Sequence, residues 1–203
     1  MKNILIIFVL SFINCKAQQQ ILPLETRGIP IEGAYYKDLD NELDPFQGTY
    51  IYNNGNKIFK IILKKMIKQP SDSHYEDMIS GEYEYVVNGF VKISTLPNLD
   101  IMYSDQFLKH GITNKYIIKN INHRLWKCPQ CNVNEKRLSA VIRDKISGRR
   151  ADLLMRRTNI NGQEVMQVNI TNISAWIVDS NDPSTFNEPP FALPKGEFTM
   201  IKQ

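Results

Sequence analysis

The stretch Gly48-Thr-Tyr-Ile-Tyr-Asn-Asn-Gly-Asn-Lys-Ile-Phe-Lys-Ile-Ile-Leu-Lys64 has the pattern that decides the fold. Apolar and polar residues alternate on both sides of Asn53-Asn-Gly-Asn56, and a period of two is typical of a half-buried β-strand. In the second run, one face holds the apolar side chains of Phe59, Ile61 and Leu63. Two alternating runs separated by an Asn-Gly turn predict a β-hairpin.

The same alternation of apolar and polar residues continues to the end of the chain. Further strands are predicted over residues 79–87, 90–94, 115–121, 137–143, 151–157, 164–170 and 196–202. Asn88-Gly89 and Asn161-Gly162 mark two more hairpin turns, and residues 174–178 are expected to extend the strand before them. The helical signal is confined to a turn over residues 36–43. Many short alternating strands predict an all-β domain of about nine antiparallel strands, either a barrel or a sandwich.

Length and composition bound the class of protein. The chain has 203 residues, 42% of them apolar, which suits one globular domain. Its formal net charge is +4, and Lys2 and Lys16 near the N-terminus supply two of these positive charges. This modest surplus does not predict a nucleic-acid-binding protein.

Residues 1–17 have the order of a secretory signal peptide. A positive start is followed by the apolar run Ile4 to Ile13 and then by Asn14-Cys-Lys-Ala17. Cleavage after Ala17 removes Cys15, whereas a lipoprotein signal retains Cys15 as an acylated anchor; both alternatives stay open. We therefore expect an exported protein that is periplasmic, anchored to the outer membrane or extracellular. Residues 18–44 are predicted to be irregular, and residues 45–203 to form the β domain.

Three segments together resemble a known family. They are Asn14-Cys-Lys-Ala-Gln18, the motif Tyr36-Lys-Asp-Leu-Asp-Asn-Glu-Leu-Asp-Pro-Phe-Gln-Gly-Thr-Tyr50, and the end Leu193-Pro-Lys-Gly-Glu-Phe-Thr-Met-Ile-Lys-Gln203. The chain resembles short secreted proteins of unknown function from flavobacteria and related Bacteroidota. The resemblance implies a bacterial, exported, all-β domain and implies no activity.

A shorter resemblance lies within the second segment. Phe46-Gln-Gly-Thr-Tyr50 is similar to the Phe-x-Gly-Thr-Trp opening of the calycins, the lipocalin and fatty-acid-binding barrels. In that family the aromatic residue of the first strand packs at the closed end of the barrel beside a basic residue, here Lys202. The resemblance implies a calycin-like barrel with room for one small apolar ligand.

The pair Cys128-Pro-Gln-Cys131 is the sharpest local motif. In an exported protein, two thiols at this spacing predict a structural disulfide that closes a short loop. A redox-active pair is one alternative, although no helix is predicted after the first cysteine. A zinc site is another, with His123 as third ligand and with His110, Glu135 or a second molecule supplying the fourth. We predict the disulfide and no metal site or cofactor.

Other candidate motifs do not complete a known chemistry. Asp38, Asp40, Glu42 and Asp44 alternate, but the glycine and bidentate glutamate of a calcium loop are missing. We therefore expect a solvated turn in which Asp38 or Asp40 caps a short helix before the first strand. No nucleophile elbow, zinc-protease motif or phosphate loop is present, and no catalytic residue is predicted.

Two sets of side chains are candidates for binding. Tyrosines that could line a ligand site or form cross-strand pairs are Tyr50, Tyr52, Tyr83 and Tyr85. Arginines and lysines of residues 137–157 form a basic hairpin, interpreted as a solvated face or as a surface for an anionic envelope component.

These observations lead to three hypotheses. The first is an exported, non-catalytic, barrel-like binding module with a small apolar molecule as its candidate ligand. The second is an envelope lipoprotein anchored through Cys15 that contacts protein or glycan, and the third is a hydrolase with no assigned residues. No nucleic-acid partner is expected, and a membrane is expected only through a lipid anchor.

Overall fold

A computed structural model describes residues 18–24, 29–118, 126–175, 187 and 189–203, apart from the side chain of Lys115. Their eleven strands are β1 (Ile21–Pro23), β2 (Tyr35–Lys37), β3 (Gly48–Asn54), β4 (Lys57–Ser71), β5 (His74–Val87), β6 (Phe90–Ser94), β7 (Ile112–Ile118), β8 (Arg137–Arg143), β9 (Arg150–Ile160), β10 (Gln163–Thr171) and β11 (Gly196–Lys202). One short helix, α1 (Gln106–Lys109), lies between β6 and β7. No helix among the described residues is long and apolar enough to cross a membrane.

Eight of these strands close into an antiparallel barrel. The order around it is β5-β4-β3-β11-β10-β9-β8-β7, and β7 returns to pair with β5. The predicted all-β fold is confirmed, and closure resolves the alternative between barrel and sandwich. Successive strands are neighbours, as in up-and-down barrels, so local hairpins build most of the wall. The Asn88-Gly89 and Asn161-Gly162 turns have positive φ at both residues, as tight hairpin turns require.

The inside of the barrel is filled by alternate residues of each strand. Side chains that contribute to this core include Tyr50, Phe59, Ile61, Leu63, Tyr83, Leu138, Leu153, Met155, Met166, Val168 and Met200. An eight-stranded barrel is just wide enough for side chains to fill, and burial of this apolar surface is the main force that stabilises it.

The second edge of β5 is shared among three strands. From its start to its end, β5 pairs with β2 at Tyr75 and Glu76, with β7 at Ser80 and Gly81, and with β6 from Glu84 onward. The barrel therefore closes through only two register pairs between β5 and β7. Gly81 is required there, because a Cβ would lie 2.5 Å from the carbonyl oxygen of Ile62.

The N-terminal segment departs from the prediction. Residues 18–44 were predicted to be irregular, but they contain β1 and β2, which pair in parallel with each other and with β5. The expected helical turn over residues 36–43 is also wrong, since Tyr36 belongs to β2 and the helical turn is the 3-10 turn Asp44–Phe46. Parallel pairing with a distant strand leaves no local turn signal in the sequence.

Two irregular segments lie against the barrel. The lower end, where β3 begins, is covered by residues 38–46, here called the cap, and the upper end holds the turn between β3 and β4. Residues 95–111, here called the strap, connect β6 to β7 and lie on the outer face of β4 and β5, where Asp100 contacts Lys64 and His110 contacts Glu82. The cap buries Leu43 and Phe46 in the core.

Candidate functional site

Aromatic side chains gather at the upper end of the barrel. Tyr52 pairs with Phe59 across β3 and β4, and Phe59 pairs with Tyr85 across β4 and β5. The ring centroids of Tyr52 and Phe198 lie 4.8 Å apart, and those of Phe59 and Tyr85 lie 5.9 Å apart. Phe59 is fully buried, while Tyr52 and Phe198 are half-buried. The cluster thus runs from the core to the surface of the barrel.

A third strand adds the most exposed ring. Phe90 of β6 pairs in register with Val87, which packs against the core, so the two side chains project from the same face of the sheet. Phe90 is 72% exposed. Ile93, one further residue of β6, is half-buried against the core. We call the set Tyr52, Phe59, Tyr85, Phe90 and Phe198 the aromatic site.

Two hydroxyl groups give the aromatic site its polar character. Among the described residues, neither the Tyr52 nor the Tyr85 hydroxyl has a hydrogen-bond partner. Burial raises the pKa of Tyr85, and the nearby Tyr52 raises it further. A raised pKa keeps the Tyr85 hydroxyl protonated, and a tyrosine hydroxyl can both donate and accept a hydrogen bond toward a bound molecule.

The four tyrosines predicted from the sequence are not brought together. Tyr52 and Tyr85 belong to the aromatic site. Tyr50 lies at the lower end, where its hydroxyl donates to the Phe46 carbonyl oxygen at 3.1 Å. The Tyr83 hydroxyl donates to the Arg143 carbonyl oxygen at 2.6 Å. The alternation of side chains along a strand places all four tyrosines on the inner face. It does not determine their positions along the barrel axis or the hydrogen-bond partners of their hydroxyl groups.

The sulfurs of Cys128 and Cys131 lie 1.99 Å apart, at disulfide-bonding distance. Both cysteines are buried, and their loop covers the outer wall of β8 and β9. Arg137 is buried beneath this loop, and its Nη1 donates to the Trp126 carbonyl oxygen at 2.8 Å. Trp126 also packs with Leu154 of β9. This arrangement fits a structural role for the pair.

The interpretation of the basic hairpin as a solvated face is wrong for its central arginines. Arg137 is fully buried, and Arg156 is 8% exposed with its Nε 2.5 Å from Glu135. Arg157 lies 2.6 Å from the Glu164 carboxylate, which Lys202 also contacts. These guanidinium groups are engaged within the fold, which weakens the case for an anionic partner at this surface.

The acidic turn forms part of the cap. Asp38 is buried and accepts hydrogen bonds from the backbone N–H groups of Glu42 and Leu43. The prediction that an aspartate caps the short helix here is wrong, because the N-cap of the 3-10 turn Asp44–Phe46 is Leu43, with no side-chain hydrogen bond. A cavity of about 350 Å³ lies between the cap and the start of β8. Its wall includes the charged residues Asp40, Glu42, Glu135, Lys136 and Arg157. Glu42 contacts Lys136, so much of the charge in this wall is compensated.

A buried Glu–His pair was missed by the sequence analysis. His110 Nδ1 lies 2.8 Å from Glu82 Oε1, and His110 Nε2 lies 2.7 Å from Gln106 Oε1. All three residues are fully buried between the strap and the outer face of β5. Because Glu82 lies 28 residues before His110, no local motif reveals the pair.

Several predictions fall on residues that are not described. The signal peptide, Cys15 and His123 lie outside the described residues, as do residues 119–121 of a predicted strand and residues 176–178 of the predicted extension. Ser174 and Ala175 are not part of a strand. Within the described residues no group of three or more His, Cys, Asp or Glu is placed to hold a metal ion.

The whole chain, residues 1–203, matches the family of unknown function DUF6705, and the protein belongs to that family. No curated protein and no solved structure matches the chain. The family description names no activity, so a function has to be argued from the geometry of the sites.

Proposed function

We propose that the protein is an exported, non-catalytic binding module that holds a small apolar ligand at the aromatic site. The observation that carries this proposal is the group of contacting rings of Tyr52, Phe59, Tyr85 and Phe198, with Phe90, which is 72% exposed, on the same face of the sheet. Aromatic side chains supply large apolar contact areas, and a contiguous apolar surface at a rim is typical of a binding site.

The polar groups of the site refine the kind of ligand. Ligand sites are mostly apolar, with a few polar groups that orient the bound molecule. Here the hydroxyls of Tyr52 and Tyr85 would fill that role. An apolar molecule with one hydrogen-bonding group fits both features.

The architecture at the lower end supports a calycin-like barrel. The family expectation was an aromatic residue of the first barrel strand at the closed end, with a basic residue beside it. Tyr50 contacts the cap through its hydroxyl, and Lys202 of β11 is its register partner. The proposed function includes two further statements, that the protein is bacterial and that its barrel is related to the calycins.

Export rests on the order of residues 1–17. The exported chain would begin at Gln18 after ordinary cleavage, or at an acylated Cys15 as a lipoprotein. Intact mass spectrometry of protein exported from its own signal distinguishes the two starts, because acylation adds the mass of the lipid. A chain that keeps Met1 would contradict export.

A fluorescence titration tests the ligand site. The probe is N-phenyl-1-naphthylamine, which is apolar and carries one N–H group. We expect saturable binding by the parent and an affinity about five- to tenfold lower for Phe90→Ser, because the ring loses apolar contact area. Native mass spectrometry of freshly purified protein should show a retained small molecule.

The matched control is Ile201→Ser, which removes an exposed apolar side chain of β11 near the lower end. This variant should bind the probe like the parent. Equal affinities for the parent and Phe90→Ser, or no saturable binding by the parent, would refute the proposed site.

A further inference from the structure

A four-stranded extension of the sheet lies beyond the lower end of the barrel. Here β1 pairs with β2, β2 pairs with the first residues of β5, and those residues pair with the end of β4. Side chains of residues in register project from the same face of a sheet. One row therefore crosses all four strands, and its members are Ile21, Tyr35, Tyr75 and Pro70. Tyr35 is buried, whereas Ile21 is 54% exposed and Tyr75 is 39% exposed.

The loop before β2 adds further exposed apolar residues at this end. All three residues of Ile29-Pro-Ile31 are exposed. The Ile31 N–H donates to the Tyr36 hydroxyl at 3.0 Å, which fixes the loop to β2. The Gly33 N–H donates to the Ser73 carbonyl oxygen at 2.7 Å, which fixes it to the turn between β4 and β5. The exposed members of the row and the loop, here called the apolar tip, are Ile21, Ile29, Ile31, Pro70 and Tyr75.

The charges around the apolar tip are balanced. The Lys68 ammonium lies 5.5 Å from the centroid of the Tyr35 ring and 5.6 Å from that of the Tyr75 ring. Lys37 is also exposed, and so are the carboxylates of Glu32 and Asp72. Since these acids offset the two lysines, a partner that binds here is recognised mainly through apolar contact. Tyrosine and lysine side chains are both suited to a membrane–water interface, because each has an apolar body and a polar end.

The N-terminal part of the described chain is fixed at this same end. The Tyr35 N–H donates to the Gln20 carbonyl oxygen at 2.8 Å, and the Gln19 side chain donates to the Gly33 carbonyl oxygen at 2.9 Å. Cys15, the candidate acylation site, precedes Gln18 by three residues, a distance of at most about 11 Å. An acyl group on Cys15 would therefore bring the apolar tip close to the surface of the bilayer that holds it.

We propose that the protein is a lipoprotein anchored through Cys15 and that the apolar tip docks on the phospholipid bilayer that holds the anchor. Apolar side chains at such an interface insert about 5–10 Å, to the boundary between headgroups and acyl chains. Along β4, Phe59 of the aromatic site and Pro70 of the tip are about 35 Å apart. The aromatic site therefore lies at the end away from the bilayer. This inference rests on the export that the proposed function includes, and it is independent of the ligand.

Tryptophan reporters on the acylated chain test the contact. The chain is exported by bacterial cells with its own signal, purified and reconstituted into vesicles of phosphatidylethanolamine and phosphatidylglycerol. Addition of phosphatidylcholine brominated on its acyl chains quenches indole rings that reach the bilayer. Ile21→Trp places the reporter on the apolar tip, and Val91→Trp, at a 58% exposed position of β6, is the matched control at the upper end. We expect about threefold stronger quenching for Ile21→Trp, and equal quenching would overturn the docking.

Removal of apolar side chains tests the force that holds the tip. Ile29→Ser with Ile31→Ser, introduced together into Ile21→Trp, should reduce the quenching by about half or more, because apolar area is lost. Ile146→Ser, 55% exposed in the turn between β8 and β9, is the control and should leave it unchanged. Salt at about 0.5 M screens exposed charges and should also leave it unchanged. Quenching that persists in the double substitution, or that disappears in salt, would overturn apolar docking.

Intact mass spectrometry separates this inference from the proposed function. We expect an exported chain that starts at a lipid-modified Cys15. A chain that starts at Gln18 would overturn the docking and leave the binding of N-phenyl-1-naphthylamine at the aromatic site unaffected. Loss of saturable probe binding in the parent would instead refute the ligand site, while the quenching of Ile21→Trp would stay as expected.

Discussion

The cap and the strap are both irregular segments that cover the barrel, and they are held by different forces. The cap inserts Leu43 and Phe46 into the core, where both are almost fully buried. The strap contributes no side chain to that core, and its buried contacts are polar: Thr95 bonds to the backbone of Tyr83, and His110 and Gly111 contact Glu82. The comparison teaches that a segment can cover the barrel without stabilising its core. The cap does both, because it inserts apolar side chains into the core, whereas the strap does not.

The polar contacts of the two segments also differ. In the cap, Asp38 accepts from two backbone N–H groups, and its carboxylate lies 2.8 Å from the ammonium of Lys65. Burial lowers the pKa of Lys65, but Asp38 and Asp44 outweigh burial and raise it. Asp77, also buried, accepts from the Asp38 N–H and from the Tyr35 hydroxyl, which connects the cap to β5. The polar contacts of the cap thus add to its apolar packing in the core, whereas the strap is held by polar contacts without such packing.

The largest expected difference comes from truncating one phenylalanine in each segment. Phe46→Ala leaves a cavity in the core and should lower the free energy of unfolding by about 4 kcal/mol. Phe107→Ala, in the half-buried part of the strap, should lower it by about 1 kcal/mol or less. Urea unfolding monitored by tryptophan fluorescence measures both. Similar losses for the two variants would break the distinction between cap and strap.

The next comparison concerns one aspartate in each segment. Asp38→Ala leaves two buried N–H groups without their acceptor and should cost about 3 kcal/mol. Asp105, which caps α1 by accepting from the Leu108 N–H at 2.9 Å, is more exposed, and Asp105→Ala should cost about 0.5–1 kcal/mol. The same urea titration gives both values. A larger cost at Asp105 would contradict the assignment of the stronger polar anchor to the cap.

Neighbouring lysines of β4 sharpen the comparison further. Lys65 pairs with the cap, and its side chain is 10% exposed; Lys64 pairs with Asp100 of the strap, and the two side chains are 47% and 82% exposed. Lys65→Met should cost about 2 kcal/mol, because Asp38 stays buried without its cation. Lys64→Met should change stability by less than about 0.5 kcal/mol. Thermal unfolding at two salt concentrations checks both, and equal effects would contradict the argument.

The smallest expected effect is the pH dependence due to Tyr50. Burial raises the pKa of Tyr50 to about 12; the Glu164 carboxylate also raises it, while Arg157 opposes the shift. Between pH 10 and 12 the folded chain keeps this proton while the unfolded chain loses it. The stabilisation is therefore present below about pH 10 and lost as the pH rises toward 12.

A double comparison isolates that effect. Tyr50→Phe should be less stable than the parent by about 1 kcal/mol at pH 8, because its hydrogen bond to the Phe46 carbonyl is lost. That difference should shrink as the pH approaches 12. Urea midpoints of both proteins at each pH supply the measurement, and a constant difference would show that Tyr50 does not contribute to the pH dependence.

Much of the fold could be predicted from local patterns. The strands Phe90–Ser94, Arg137–Arg143 and Gly196–Lys202 have the predicted bounds, and the first hairpin lies where the alternation indicated. The missed strands, β1 and β2, pair in parallel with each other and with β5. These strands are defined by long-range pairing, and each has only three residues, which is too short for a period-two pattern to be recognised in the sequence.

The aromatic site could be predicted only in part. Alternation placed Tyr52 and Tyr85 on the inner face, but the pairing of Phe90 with Val87 and the contact of Phe198 with Tyr52 depend on register and closure. The contacts among Glu82, Gln106 and His110 correspond to no local sequence motif, because Glu82 lies on β5 and the other two residues lie in the strap.

The sequence by itself determined the strand alternation, the tight Asn-Gly turns and the closeness of Cys128 to Cys131. These features depend on backbone preferences and on neighbours within a few residues. Only the tertiary structure decided that the sheet closes at Ser80 and Gly81, that Arg137 is buried and that His110 meets Glu82. Such contacts join residues far apart in the chain, and their geometry follows from packing the whole barrel rather than from any one segment.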